Sequence, residues 1–369
     1  MSAQVPEMSP RERWVAAVKL QPVDRLPFWP KLGGSYPRAQ DSPFNNMNCG
    51  EIHNWIGSDK HSHVPSVVKE TRKTTSFESV RENGRLRNII TTPYGKMETH
   101  QRWHEDSQSW HPVKFPVENV EHIKWMIEYY RDCRLDLDPE GLEKAKAAEQ
   151  EIGSDAIIGA GIGESPLMHW VEWLAGIENA HFFLADHRDE VEELFGVIHE
   201  HLVRRAEIIS DHSPADILYM VENTSTTLIS PEQYRRYCFE HIMQYGTIAR
   251  NAGRLVVLHM CGHLKKLLPD LARLPVAAFE AYTSPTLGDT TLLDGRTACP
   301  DKCLIGGTNA MLWLRPAEEI ISKIEADLSV LPHHRGIVVT SAGVMPPGCK
   351  PETIKAVCDW VKQYDARMN

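Results

Sequence analysis

From Ile157 onward the chain keeps one rhythm: a short apolar run, a turn, then a helical stretch. "IIGAGI" precedes the long helical "NAHFFLADHRDEVEELFGVIHEHLVRRAEIISDH", "DILYMV" precedes "SPEQYRRYCFEHIMQYGTIARNAG", and "RLVVLHM" precedes "LKKLLPDLARL". "VAAFEAY" follows. "CLIGGT" and "GIVVTSAG" then lead into "RPAEEIISKIEADLSVL" and "KPETIKAVCDWVKQYDA". Continuous apolar runs, rather than alternating ones, are strands buried on both faces, as in a parallel sheet covered by helices. The chain therefore reads as α/β. A (β/α)8 TIM barrel is the first expectation and a doubly wound sheet the second. No GxGxxG or GxxxxGK[ST] loop follows a strand, so there is no dinucleotide or P-loop signal.

At 369 residues the chain fits one barrel with an N-terminal extension. Residues 1–150 are expected to hold N-terminal helices, the first strand and a hairpin insertion. Residues 151–369 are expected to hold the remaining strand–helix units. "SPRERWVAAVKLQ" predicts a helix capped by Ser9, with Glu12 three residues later completing a capping box. "DRLPFWP" reads as a short extended piece. "RLRNIITTPYGKMETHQRW" puts β-branched residues around a Pro93–Gly95 turn and predicts a hairpin outside the main repeat. Ser230 should cap the helix that stops at Gly253.

Composition narrows the partners. The formal net charge is −10 and no long basic run occurs, which disfavours nucleic acid and anionic membranes. No stretch of 18 apolar residues suggests a transmembrane helix. The opening residues contain no apolar signal region, so a cytoplasmic location is expected. The eight cysteines are scattered, which predicts reduced thiols rather than a disulfide framework.

Two of those thiols sit where chemistry would need them. "LVVLHMCGH" ends a buried-looking strand in His259 and Cys261. Residues i and i+2 of a strand project from one face, roughly 6–7 Å apart, close enough to reach one metal ion. In a barrel, strand ends share one mouth, so Glu222 after "DILYMV" and Cys349 after "GIVVTSAGVMPPG" become candidate partners. Imidazole, thiolate and carboxylate are ordinary zinc ligands, and this spacing is of the catalytic kind rather than the paired CxxC kind. Glu222 could also orient a bound water or substrate. Cys299 and Cys303 are a rival pair, but Cys303 opens a strand and belongs at the opposite face. Cys133, Cys238 and Cys358 read as packing residues.

These segments together resemble the uroporphyrinogen decarboxylase superfamily, and within it the zinc-dependent, corrinoid-linked methyltransferases. The resemblance rests on "SPRERWVAAVKLQPVDRLPFWP", on "EIHNWIGSDKH" leading to the acidic Asp59, and on "ENTSTTLISPEQYRRYCFEHI". It rests further on the His-x-Cys-Gly of "LHMCGHLKKLLPDLARL" and on the closing "KCLIGGTNAMLWLRPAEEI" and "VVTSAGVMPPGCKPETIKAV". Two departures stand out. Where the decarboxylase carries a loop of arginines for its polycarboxylate substrate, "PKLGGSYPRAQ" carries Lys31, Gly33 and Gly34. Where the methyltransferases place a last cysteine directly after the final strand, this chain has Val344, with Cys349 five residues on.

The resemblance implies a (β/α)8 barrel and a zinc site at His259 and Cys261, with Cys349 and Glu222 completing it. It implies methyl transfer between a small methylated substrate or thiol and a corrinoid (methylcobalamin) supplied by a partner corrinoid protein, O-demethylation included. The His- and Trp-rich segments (His53, Trp55, His61, His63, Trp103, His104, Trp110, His111) are candidates for an aromatic substrate pocket. The alternative activity is a metal-free carboxy-lyase acting on a small carboxylate, using Asp59 or a basic residue near the mouth. A non-catalytic barrel in a complex is a third reading. A homodimer is compatible with all of them.

Overall fold

Runs rich in Ile, Val and Leu pair side by side in the order the chain writes them. In the computed structural model, which describes residues 6–82, 84–105 and 109–368, eight parallel strands form one sheet. They are β1 (Phe28–Trp29), β2 (Lys60–His63), β3 (Ala156–Gly163), β4 (Ile217–Val221), β5 (Leu255–His259), β6 (Ala278–Tyr282), β7 (Cys303–Gly306) and β8 (Ile337–Thr340). The hydrogen-bonded order is β1-β8-β7-β6-β5-β4-β3-β2. The seam between the edge strands is narrow. The Asp59 amide donates to the Phe28 carbonyl at 2.8 Å, and the Trp29 and His61 rings stack with centroids 4.9 Å apart. The sheet is thus a nearly closed (β/α)8 barrel, as the strand–helix rhythm predicts.

Strand alternation divides the apolar residues between two cores. Trp29, Ile157, Tyr219, Val257, Ala278 and Ile305 point into the lumen and pack with Trp14. Their sequence neighbours Leu218, Met220, Val256 and Leu258 point outward under the covering helices. Trp14 lies on the helix Pro10–Val18, which has the capping box expected of Ser9 and Glu12. That helix plugs the N-terminal end of the barrel, leaving the C-terminal end for chemistry. Ser230 caps its helix as expected, and Gly253 follows the helix end at φ 73°. The long helical stretch after β3 is two helices, Ile177–Asp186 and Arg188–His212, broken at His187.

The predicted hairpin is the centre of a larger insertion. Four antiparallel strands, Ser76–Glu82, Arg85–Thr92, Gly95–His104 and Ser109–Lys114, form a separate sheet beside the helix Val120–Arg131. Asp132 ties the two together by accepting the Lys73, Thr74 and Thr75 amides. Cys303 opens β7 and is buried in the lumen core, at the end away from the mouth. All eight cysteines are free. Among the described residues no helix is long and apolar enough to cross a membrane.

Candidate active site

His259 is the last residue of β5, and the ladder registers it beside Val221 of β4 and Glu280 of β6. Its parity with Val257 turns the ring into the lumen. Glu280 shares that parity on the neighbouring strand, so an acid and an imidazole meet at the C-terminal mouth. His259 Nδ1 is in close contact with Glu280 Oε2, to which the Tyr219 hydroxyl also donates. Lys31, two residues past β1, brings Nζ to 3.1 Å from Glu280 Oε1 and 3.4 Å from His259 Nδ1. Tyr219 Oη lies 3.3 Å from the same ring nitrogen.

His259 and Tyr219 are buried, Glu280 almost completely, and Lys31 is half-buried. Burial works against ionising either member of the pair, but their mutual attraction and hydrogen bond prevail. The His259 pKa is raised to about 9, and the Glu280 carboxyl is held well below the usual carboxylate range by Lys31 first and then by His259. Tyr219 is pushed far above its ordinary value by burial and by the Glu280 charge. The two shifts favour an imidazolium paired with a carboxylate.

Cys261 follows on the loop and is half-buried. Its Sγ donates to Asn223 Oδ1 at 3.4 Å, and it also hydrogen-bonds His259. Asn223 in turn donates Nδ2 to Glu172 Oε2 at 2.8 Å. Glu172 has its other oxygen buried with no partner among the described residues, and burial raises its pKa to about 7. The backbone is strained around this rim. Asn223, Ala281 and Ala342 all hold φ between 47° and 60°, each at or just past the C-terminal end of a barrel strand. Such conformations cost about 1 kcal/mol or more per residue and persist where surrounding structure imposes them. Ala281 is also skipped in the β6–β7 register, a bulge one residue past Glu280.

The other predicted site residues lie elsewhere. Glu222 has the parity of Leu218 and Met220, so it points out of the barrel. Its carboxyl accepts from the Ser165 amide at 2.7 Å and from the Ser165 hydroxyl, beside the Cys238 thiol. Burial raises its pKa to about 8. Cys349 is buried against the final helix, its Sγ 3.8 Å from the Lys350 carbonyl and its own carbonyl bound by the Tyr36 hydroxyl. Burial pushes that thiol up to about 12. Val344 is the residue that reaches the lumen cleft, and a Cβ at Gly33 would come within 2.9 Å of it. Asp59 lies at the plugged end, where it pairs with Arg13 at 2.6 Å and Arg25 at 2.8 Å and accepts the Phe28 amide. Of the predicted set, the structure brings together His259 and Cys261 only.

Glu280 and Tyr219 were legible in principle. "VAAFEAY" puts a lone acid inside an apolar strand one rung from His259, and acids are rarely buried without a partner. The His- and Trp-rich segments split. His61 and His63 stand in the lumen, their rings 4.7 Å apart and near Tyr219. His53 bonds Ser58, Trp55 packs on Phe44, and Trp103 with Trp110 and His104 with His111 are ring pairs of the insertion.

A cleft of about 700 Å³ runs along the lumen, lined by Trp29, Lys31, His61, His63, Tyr219 and Val344 among others. His259 and Cys261 fit a zinc ion in one respect that the structure itself supplies. A metal-binding histidine is held by a carboxylate on its other ring nitrogen, and Glu280 occupies that position at Nδ1, leaving Nε2 for a metal. Cys261 offers a thiol beside it. Among the described residues no three His, Cys, Asp or Glu side chains are gathered as a ready-made metal site. The donor set is thus a pair rather than a complete cage, and the oxygen beside the thiol is Asn223 Oδ1, 3.4 Å from Cys261 Sγ.

A family model described as uroporphyrinogen decarboxylase (URO-D) matches residues 134–364. A search of curated proteins finds no significant match. Among solved structures, a methyltransferase from Methanosarcina mazei superposes with a TM-score of 0.61 at 16% identity, covering 98% of this chain and 100% of that one. A putative vitamin-B12 independent methionine synthase from Listeria monocytogenes gives a TM-score of 0.38 at 13% identity over 62% of this chain and 70% of that one. The first likeness is one of fold; the second is too distant to use.

Proposed function

The chain belongs to the uroporphyrinogen decarboxylase family, and from that premise we propose that it is a methyltransferase holding a zinc ion at His259 and Cys261. In this reading it exchanges a methyl group between a small methylated substrate or thiol and a corrinoid on a separate protein. The observation that carries it is the carboxylate-backed His259 beside Cys261 at an open barrel mouth. A zinc ion there would stabilise a thiolate or polarise the heteroatom of a methylated donor.

The chain's own residues have definable tasks. Glu280 fixes the His259 ring, and Tyr219 and Lys31 fix Glu280. Lys31 keeps ammonium donors beyond those on Glu280 and can stabilise negative charge developing on a substrate heteroatom at the mouth.

Decarboxylation of a polycarboxylate tetrapyrrole is the weaker reading. The cleft is lined by two lysines, Lys31 paired with Glu280 and Lys60 with Asp155, where several arginines would be needed. Asp59, the acid considered for a lyase, is already taken by two arginines.

The test is spectroscopic. The zinc-loaded protein is mixed with Co(I) cobalamin and a panel of methoxylated aromatics, methylamines, methanol and methylthiols, and separately with methylcobalamin and small thiols. The expected outcome is conversion between the Co(I) and Co(III)-methyl spectra in one direction, lost in Cys261→Ser. No conversion with any pair, even with a corrinoid protein added, would remove the proposal.

A further inference from the structure

His259 and Cys261 are two donors, and a catalytic zinc takes three from the protein. The usual donor types are spent elsewhere. Cys349 is packed against the final helix, and the apolar Val344 faces the cleft in its place. Glu222 is turned outward to Ser165. Glu280 sits on the Nδ1 side of the His259 ring, away from Nε2. Among the described residues no third His, Cys, Asp or Glu side chain gathers with the pair. A third protein donor has to be of another kind.

Asn223 lies where such a donor is needed. Its Oδ1 is 3.4 Å from Cys261 Sγ, and that thiol also hydrogen-bonds His259. A sulfur and an oxygen bound to one tetrahedral zinc stand roughly 3.6 Å apart, so the thiol and the amide oxygen already have the spacing of two ligands. The amide is not free to present either end. Glu172 Oε2 accepts from Nδ2 at 2.8 Å, which turns Oδ1 to the thiol. Glu172 itself lies in a π-helical turn, Trp170–Leu174, a device that recurs at functional sites.

The backbone holds the same arrangement. Asn223 keeps φ at 47°, and its amide donates to the His259 carbonyl at 3.2 Å. The loops carrying Asn223 and Cys261 are tied together. The Thr226 amide donates to the His263 carbonyl at 3.0 Å, and the His263 amide donates to Ser225 Oγ at 3.1 Å. Gly262 passes so close that a Cβ there would come within 2.7 Å of Ser225. A left-handed residue pinned on both sides, its side chain aimed at a thiol, is strain kept for a purpose.

We infer that Asn223 Oδ1 is the third protein donor to a metal at His259 and Cys261, in place of a second thiolate, and that Glu172 is the positioning residue that points the amide oxygen at it. This rests on the zinc reading of the site and not on methyl transfer. One thiolate beside two neutral donors leaves positive charge on the metal uncompensated, which suits the capture of an anionic thiolate or alkoxide at the open position.

X-ray absorption at the zinc edge of the zinc-loaded full chain counts the sulfurs, and competition with a chromophoric chelator gives the affinity. Wild type should show one sulfur at roughly 2.3 Å and nitrogen or oxygen at roughly 2.0–2.2 Å. Asn223→Gly keeps the positive φ without strain and removes the oxygen; it should weaken zinc by about tenfold or more. It should also change the visible bands of the cobalt(II)-substituted protein, which report coordination and not stability. Glu172→Leu, which frees the amide to turn, should give a smaller loss of the same sign. Two sulfurs in wild type, or zinc affinity and cobalt bands unchanged in Asn223→Gly, would overturn the inference while leaving the transferase reading in place. The sulfur count and Glu172→Leu decide it if Asn223→Gly does not fold. A wild type that binds no zinc would overturn both. One sulfur and the predicted losses without methyl transfer would keep Asn223 as a ligand and remove only the transferase reading.

Discussion

The barrel buries a carboxylate among cations at each of its two ends, and the two clusters are built differently. At the plugged end Asp59 accepts from Arg13, Arg25 and the Phe28 amide, while Trp14 closes over its backbone carbonyl. Every partner there belongs to the chain. At the open end Glu280 meets Lys31, Tyr219 and His259, and two of these, Lys31 and Tyr219, line a cleft of about 700 Å³. The first cluster joins the N-terminal helix, the Asp24–Arg25 turn and the seam of the sheet. The second holds a histidine in one orientation at a strained rim. A buried charge is thus not by itself a sign of chemistry; what distinguishes the ends is whether the partners line a cleft.

The largest effect that would break this contrast is on stability. Asp59→Asn leaves Arg25 without its acid and Arg13 with Asp24 alone, and stranding a buried charge costs about 3–5 kcal/mol. Urea unfolding should show a loss of that order. Glu280→Gln should cost less, about 1–2 kcal/mol, because His259 can lose its proton and Lys31 can turn into the cleft. Its main effect should be a fall in zinc affinity of about 10–100-fold, the usual consequence of removing the acid behind a ligating histidine. Equal destabilisation by the two variants would make both clusters structural.

The next effect concerns pH. Against the opposition of burial, Glu280 raises the His259 pKa to about 9, above its value in the unfolded chain. A raised pKa of this kind contributes stability that is fully present below about pH 6.5 and is lost as pH rises through about 9. The metal-free protein should therefore lose on the order of 2 kcal/mol over that window. Zinc must displace the same proton, so its affinity should climb over the same window, by up to about tenfold per pH unit. The arginines around Asp59 stay charged throughout. Thermal melts of wild type and Glu280→Gln across this window, with zinc titrations, check both trends. An identical slope in the two proteins would mean that the pair does not set the His259 proton.

How much of this was readable from residues alone differs by feature. The parallel α/β sheet followed from uninterrupted apolar runs alternating with helices, a pattern that a doubly wound sheet shares with the barrel. His259 and Cys261 followed from their two-residue spacing at a strand end. Glu222 was placed at the mouth on the same strand-end argument, yet its parity with Leu218 and Met220 turns it outward, and that alternation was available in "DILYMVE". Cys349 was linked to the site because it follows β8, but the intervening Pro346, Pro347 and Gly348 carry it to the final helix, and Val344 faces the cleft instead. The outer strands of the insertion were missed because Ser76–Glu82 is exposed along nearly its whole length and has no apolar face to betray it. The Glu172–Asn223 pair could not be read at all, since the two meet only through the fold.

The measurement that bears most directly on the account is zinc per chain in wild type, His259→Ala, Cys261→Ser and Cys349→Ser, purified identically and analysed by mass spectrometry of the metal. The account predicts about one zinc in wild type, little in His259→Ala and Cys261→Ser, and a wild-type level in Cys349→Ser, whose thiol is packed away from the mouth. A wild type without zinc would contradict it, as would a Cys349→Ser variant as depleted as Cys261→Ser.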